Sequence, residues 1–307
     1  MSLSTRVFDL QVNGFHGFGF SDDKLTIDKI HQITTALNRD WEYHFLATMI
    51  TSPVSVIEQN LILIAEAMKQ PPSLGKLRGI HLEGPFISKE EGPLGAHPRQ
   101  DVISPNYLLF KKWMAISDNQ IKIITLAPEI TGAIEFIEQV KKNFPQVIVS
   151  LGHHHASHEI IKKAIFSGAR MCTHLGNGIG LNIPRHPNPI WDQLSDGRLL
   201  ATIIVDGLHL PESVIKVIIK TKGPDNCVFV SDVFNFAGCK PGLYDYRGEK
   251  IILNENAEIR RVSSGGFFGS AKNLVQCAEF IRSLRICSDE DIEKMIWWTP
   301  LKLLGVY

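Results

Sequence analysis

Four side chains of this sequence are of the types that bind a metal ion and move a proton. They are Glu83, His153, His174 and Asp232, and each stands at the end of a short apolar run. One carboxylate and two imidazoles are a typical ligand set for zinc, with one position left open for water. A second carboxylate beside them can accept the proton of that water. The residue types therefore predict metal-assisted hydrolysis, if the fold brings them together.

The apolar runs are typical of β-strands, because they are short, rich in β-branched residues and followed by polar or Gly-rich turns. Eight strands are predicted: Val7–Val12, Phe45–Thr51, Leu77–Leu82, Ile121–Leu126, Val147–Leu151, Arg170–Thr173, Ala201–Val205 and Val228–Ser231. Helical periodicity predicts helices between them: Ile27–Leu37, Ser55–Met68, Ile130–Asn143, His158–Ser167 and Pro211–Lys220. This alternation predicts an α/β fold, a (β/α)₈ TIM barrel, in which catalytic residues lie at the carboxyl ends of the strands.

The pattern changes after the eighth predicted strand. Tyr244–Val262 alternates in the manner of a β-hairpin that turns near Asn254–Asn256. Two helices are predicted after it, Ala271–Ser283 and Asp289–Trp297. No Pro/Gly/Ser-rich linker interrupts the chain, so residues 1–307 are predicted to form a single domain.

Charge and cysteine usage narrow the classes of function. Lys+Arg and Asp+Glu both number 32, so the formal net charge is zero and no basic field favours nucleic acid or a membrane surface. Five cysteines without a CxxC spacing favour free thiols in a reducing cytoplasm. No apolar stretch approaches the roughly 20 residues that span a bilayer. The first residues do not resemble a signal peptide.

Each of the four residues also has a structural alternative. Glu83 would be structural if HLEGPF were only an exposed turn, and His174 would then be a hydrogen-bonded core histidine. The run from His153 to His155 would be a surface turn or an adventitious metal site. Asp232 would cap the segment that follows it. The coincidence of all four at predicted strand ends favours the metal site.

The motifs that carry these residues resemble the N-acetylglucosamine-6-phosphate deacetylase family of the amidohydrolase superfamily. They occur in the family's order and cover nearly the whole chain: DLQVNG (Asp9–Gly14), HLEGPF (His81–Phe86), GAH (Gly95–His97), LAPE (Leu126–Glu129), GHHHAS (Gly152–Ser157), THLGN (Thr173–Asn177), DGLH (Asp206–His209), SD (Ser231–Asp232) and FGS (Phe268–Ser270). The resemblance implies a hydrolase that removes acetate from a small molecule, N-acetylglucosamine-6-phosphate.

The resemblance also implies the metal site. Glu83, His153 and His174 would hold one divalent ion, zinc being expected, although such a set also accepts iron, manganese or cobalt. Asp232 would be the catalytic acid and base. Many superfamily members place two histidines, HxH, at the end of the first strand to hold a second metal, and the matching residues here are Gln11 and Asn13. A single-metal site is therefore expected.

Ten further residues match substrate contacts of the family. They are Ala96, His97, Asn177, Gly178, Arg185, Asp206, His209, Phe267, Phe268 and Gly269. Arg185 matches an arginine that reaches the substrate phosphate across a subunit interface, so a homodimer is expected. The alternative for Arg185 is an exposed arginine on a loop.

Three local departures from the family lie near the expected substrate. THLGNGI stands where the family reads THL-x-NAM, Glu-Pro-Gly is missing after Arg185, and bulky residues follow Asp232. The small β-sandwich domain of typical members is also expected to be missing. These departures keep two alternatives open, an amidohydrolase for another N-acyl or cyclic amide substrate, and a non-catalytic binding barrel.

Overall fold

The centre of the protein is a sheet of eight parallel strands that pair in chain order. The computed structural model describes residues 5–305, so residues 1–4, where the sequence predicts no signal peptide, lie outside the described part. The strands are β1 (Arg6–Val12), β2 (Glu42–Ile50), β3 (Leu77–Glu83), β4 (Ile121–Leu126), β5 (Ile148–Leu151), β6 (Met171–Cys172), β7 (Leu200–Ile204) and β8 (Cys227–Val230). All eight predicted strands are confirmed, with shifts of a few residues at their ends.

The first and last strands meet and close the sheet into a barrel. The backbone N–H of Asn13 donates to the carbonyl of Val233 at 2.9 Å. The fully buried carboxylate of Asp9 accepts hydrogen bonds from the backbone N–H of Ser231 at 3.2 Å and from the hydroxyl of Tyr43 at 2.6 Å. Alternate residues of a strand face the same side. Asp9 points inward where β1 meets β8, so Gln11 and Asn13 also point into the barrel.

Helices follow the barrel strands and cover the outside of the sheet. They are α1 (Ile27–Leu37), α2 (Val54–Ala67), α3 (Tyr107–Ile116), α4 (Ala133–Asn143), α5 (His158–Ser167), α6 (Pro189–Ser195), α7 (Glu212–Lys222), α8 (Leu274–Leu284), α9 (Asp289–Glu293) and α10 (Thr299–Leu304). A π-helical turn, Lys294–Trp298, joins the last two. The predicted helices are confirmed, and α3, α6 and α10 are additional. No helix among residues 5–305 is long and apolar enough to cross a membrane.

An antiparallel sheet of four strands follows the barrel, and we call it the added sheet. It consists of β9 (Gly242–Tyr246), β10 (Glu249–Leu253), β11 (Glu258–Arg261) and β12 (Phe267–Ser270). The turn predicted near Asn254–Asn256 is confirmed between β10 and β11. The predicted hairpin Tyr244–Val262 also contains part of β9 and its turn into β10, so three strands stand where two were expected. Ser270 pairs with Val233, just beyond β8, so the added sheet is joined to the barrel beside Asp232.

Candidate metal centre

Three predicted ligand atoms form a nearly equilateral triangle at the carboxyl ends of the strands. Oε1 of Glu83 lies 3.1 Å from Nε2 of His153 and 3.0 Å from Nε2 of His174. The two Nε2 atoms are 3.0 Å apart, and all three side chains are buried. Tetrahedral ligands at zinc–ligand distances of 2.0–2.1 Å lie about 3.3 Å from one another. The donor set and its spacing therefore fit one divalent cation.

The backbone at the strand ends aims these side chains into the barrel mouth. Glu83 is the last residue of β3, whereas His153, His174 and Asp232 each stand two residues beyond their strands. Their φ angles are 54°, 32° and 50°, in the left-handed region that non-glycine residues rarely adopt. Strain of this kind concentrates at functional sites, where the surrounding structure holds it.

Hydrogen bonds set the orientation and protonation of the ligands in a way that favours a cation. Nδ1 of His153 donates to the carbonyl of Pro93 at 2.7 Å, which leaves the lone pair of Nε2 facing the cluster. Burial opposes ionisation of Glu83, but its contacts with His153 and His174 hold the pKa of the carboxyl well below its ordinary value. The site therefore presents an anionic oxygen and imidazole nitrogens, which zinc prefers.

His97 offers a second grouping, because ligand atoms of Glu83, His97 and His153 lie within 4.8 Å of one another. However, Nδ1 of His97 accepts the backbone N–H of Thr51 at 3.3 Å and lies 2.8 Å from the hydroxyl of the same residue. The proton of the neutral ring therefore resides on Nε2, which makes that atom a donor. His174, at 3.0 Å from both Glu83 and His153, fits the third ligand position better.

The neutral amides of Gln11 and Asn13 lie beside the triangle, in the positions where the resemblance implied that no second metal is held. Nε2 of Gln11 donates to Glu83 at 2.9 Å and to Asp232 at 3.1 Å. Nδ2 of Asn13 donates to the same oxygen of Asp232 at 2.7 Å. Because amide N–H groups repel cations and fill this space, the arrangement favours a single ion.

Asp232 is fully buried beside the triangle. Burial, and next the charge of Glu83, raise its pKa to about 7. A positive ion on Glu83 lowers that value, since an opposite charge favours the ionised form. An ionised carboxylate beside the ion can take up the proton of a water molecule and then release it.

A cavity opens from the triangle and Asp232. Seven of the ten predicted substrate residues line it: Ala96, His97, Asn177, Gly178, His209, Phe267 and Gly269. Three do not line it. Asp206 lies behind His209, 2.7 Å from its Nδ1, Phe268 is buried against Phe234, and Arg185 is exposed on the loop before α6.

Sequence reasoning assigned no substrate or metal role to several residues that build the site. Ile50, Ile204 and Phe234 line the cavity. Below the ligands, Nε2 of His81 lies 2.8 Å from the hydroxyl of Thr125, which continues a hydrogen-bonded chain across the barrel. Ile50 and Ile204 are the last residues of β2 and β7, so their place at strand ends was the available signal.

No protein-family model matches the chain. A Caenorhabditis elegans protein named N-acetylglucosamine-6-phosphate deacetylase is 31% identical in an alignment 316 residues long, which covers 99% of this chain and 74% of that protein. The chain belongs to the N-acetylglucosamine-6-phosphate deacetylase family. The family predicted from the motifs is thereby confirmed.

Two further comparisons place the chain within deacetylases of amino sugar phosphates. An Escherichia coli O157:H7 protein named N-acetylgalactosamine-6-phosphate deacetylase is 26% identical over 304 residues, covering 99% of this chain and 78% of that protein. The crystal structure of the Pasteurella multocida N-acetylglucosamine-6-phosphate deacetylase matches with a TM-score of 0.86 and 26% identity, over 98% of this chain and 76% of that one. The predicted TIM barrel is confirmed.

Proposed function

We propose that this family member hydrolyses the acetamide of N-acetylglucosamine-6-phosphate to acetate and glucosamine-6-phosphate. The observation that carries the proposal is the meeting of Glu83, His153 and His174, with atoms 3.0–3.1 Å apart, next to Asp232. The proposed substrate comes from the family to which the chain belongs. The proposed reaction is supported by the geometry, because these groups can hydrolyse an amide.

Glu83, His153 and His174 would hold one divalent cation, and zinc is the metal that we propose. Such an ion supplies Lewis acidity, polarising a carbonyl and lowering the pKa of water to about 7. Iron, manganese and cobalt are the alternatives, because the same ligands accept them.

Asp232 and His97 carry the proton chemistry of the proposal. Asp232 accepts the proton of the attacking water and then returns it to the amine, which is a poor leaving group while unprotonated. His97 stays neutral because burial, and next the nearby His153, hold its pKa well below the ordinary value. Its Nε2–H donates to the acyl oxygen as negative charge develops there.

The phosphate would bind at the loop after β6. Nδ2 of Asn177 is buried at the cavity and has no hydrogen-bond partner among residues 5–305, so a substrate oxygen can accept its proton. Gly178 follows it with φ of 61° and lines the same cavity. The exposed Arg185 would serve a second copy of the chain, in a homodimer.

Replacing Arg185 with alanine is expected to lower kcat/KM for N-acetylglucosamine-6-phosphate by about 30-fold, the usual effect of losing a charge-assisted hydrogen bond. The unphosphorylated sugar should change by less than about twofold, since it lacks the phosphate. Acetate release from both substrates measures the difference. Arg198→Ala, at another exposed arginine, is the control. Equal losses on both substrates would mean that Arg185 reads no phosphate.

Replacing Asn13 with alanine is expected to move the acid limb of the pH profile to higher pH. Asn13 donates to the carboxylate of Asp232 at 2.7 Å and so lowers its pKa. Without that donor the pKa rises, by about one unit. The base acts when ionised, so activity is present above its pKa and is lost as the pH falls through it. Profiles of kcat/KM measure the shift, and an unmoved or lowered limb contradicts this role of Asp232.

A substrate panel tests the proposed activity. N-acetylglucosamine-6-phosphate, N-acetylgalactosamine-6-phosphate, their unphosphorylated forms and a cyclic amide are each assayed, by acetate release or ring opening. The proposal expects the first substrate to have the highest kcat/KM. Preference for the galacto sugar or for another amide would replace the substrate, and no turnover of any would favour a binding barrel.

We also propose a cytoplasmic location. All five cysteines are unpaired, and three of them are buried. Unpaired thiols persist in the reducing cytoplasm, whereas secreted proteins more often pair them.

A further inference from the structure

An arginine of the added sheet reaches across to the loops beside His97. Arg247 lies in the turn between β9 and β10, and its guanidinium donates to the hydroxyl of Ser52 at 2.9 Å and to the carbonyl of Thr51 at 3.4 Å. It also donates to the carbonyl of Ser21. One side chain thus joins the added sheet to two loops at the mouth of the barrel.

Thr51 connects this arginine to the imidazole of His97. Its backbone N–H and its hydroxyl lie 3.3 Å and 2.8 Å from Nδ1 of His97. The hydroxyl of Thr51 packs closely against Gly84, where an added Cβ would stand only 2.3 Å from its oxygen. A displacement of the Thr51 backbone therefore passes directly to the ring of His97.

The segment that carries His97 is held from the added sheet as well. Nη2 of Arg261, the last residue of β11, donates to the carbonyl of Gly95 at 3.2 Å. The guanidinium of Arg261 also lies over the ring of Phe268 in β12, with Cζ 4.9 Å from the ring centre. The added sheet thus holds the imidazole of His97 in two ways, through Thr51 and through the backbone segment of Gly95 that leads to His97.

The backbone at Arg247 is strained. Its φ is 54° and that of Gly248 is 82°, as in a two-residue type I′ turn, where asparagine and glycine are preferred. This region is unfavourable for any residue that has a Cβ. Such strain persists where the surrounding structure holds the residue, and here the guanidinium is held by Ser21, Thr51 and Ser52.

We propose that Arg247 is a positioning residue for His97, acting through Thr51 and Ser52. The proposal rests on the proposed function, in which Nε2–H of His97 meets the acyl oxygen. A misplacement of a catalytic group by about 1 Å can lower the rate about 100-fold. The contacts that hold the His97 ring therefore affect turnover. The added sheet would then be part of the catalytic apparatus, although Arg247 itself does not touch substrate.

The test is a double-mutant cycle with Arg247→Met and His97→Gln in the full-length, metal-loaded protein. Arg247→Met is expected to lower kcat about tenfold and to change KM by less than about twofold. In the His97→Gln background the same change should lower kcat by less than about twofold, because the ring it positions is gone. Arg247→Lys should recover part of the rate. Lys250→Met, in the neighbouring strand at a side chain 60% exposed, should have no effect.

Equal losses in both backgrounds, or no loss in either, would overturn the proposal. Ser52→Ala replaces Arg247→Met if that variant does not fold. We expect Ser52→Ala to lower kcat about threefold, and to do so only when His97 is present.

Nitrogen-15 NMR of the labelled histidine rings provides a readout without catalysis. We expect Arg247→Met to shift the ring signals of His97, and an unchanged spectrum contradicts the proposal. Absence of acetate release by the wild type would overturn the proposed function, while the NMR result would still decide the placement of the ring.

Discussion

Asp232→Asn is expected to lower kcat about a thousandfold while the metal content stays at the wild-type level. Asparagine has nearly the shape of aspartate, and its oxygen can still accept the N–H groups of Gln11 and Asn13, now 3.1 Å and 2.7 Å from Asp232. It cannot take up the proton of the attacking water or deliver one to the amine. General acid–base catalysis contributes about 10²–10⁴-fold, so the loss should be of that order.

Steady-state acetate release and elemental analysis of the same preparation measure the two quantities. Asp118→Asn is the matched control, because Asp118 is an exposed aspartate paired with Lys69 on the surface. Turnover within about threefold of wild type would remove Asp232 from the mechanism. A parallel loss of metal would instead assign Asp232 to the binding of the ion.

His174→Ala is expected to abolish both metal retention and activity. Its Nε2 lies 3.0 Å from the ligand atoms of Glu83 and His153, and its removal leaves two protein ligands where a catalytic zinc site uses three. The metal-to-protein ratio should fall from about one to near zero after dialysis. His158→Ala, at a half-buried histidine paired with Asp192, should keep its metal.

His97→Ala separates the two groupings of ligands. If Glu83, His153 and His174 hold the ion, His97→Ala keeps the metal and loses rate. Retention of metal by His174→Ala together with its loss from His97→Ala would assign the site to Glu83, His97 and His153, whose ligand atoms also lie within 4.8 Å of one another.

The sequence predicts the position of the site well, for a physical reason. Barrel strands are buried on both faces, so they read as continuous apolar runs and their ends are visible as changes to polar residues. The carboxyl ends of parallel strands meet at one rim, which brings Glu83, His153, His174 and Asp232 together although they are far apart in the chain. Local periodicity therefore located the rim, whereas the choice of His153 from the run His153–His155 came from the resemblance to the family.

Other features depend on contacts that no local pattern contains. The hydrogen bond from Arg247 to Ser21 joins residues 226 positions apart, and its existence depends on the turn that aims the arginine. The strands of the added sheet are partly exposed, so β9 and β12 lack the apolar run that marked the barrel strands. Helix α6 has only seven residues, too few for a clear period, and begins because Asn188 caps the helix at Pro189.

The most direct test of the central claim is acetate release from N-acetylglucosamine-6-phosphate before and after removal of the metal. We expect the purified protein to release acetate, to stop when a chelator has stripped the ion, and to recover when about one equivalent of zinc per chain is returned. Undiminished release by protein shown to be metal-free would contradict the account, because Glu83, His153 and His174 would then have no ion to hold during hydrolysis.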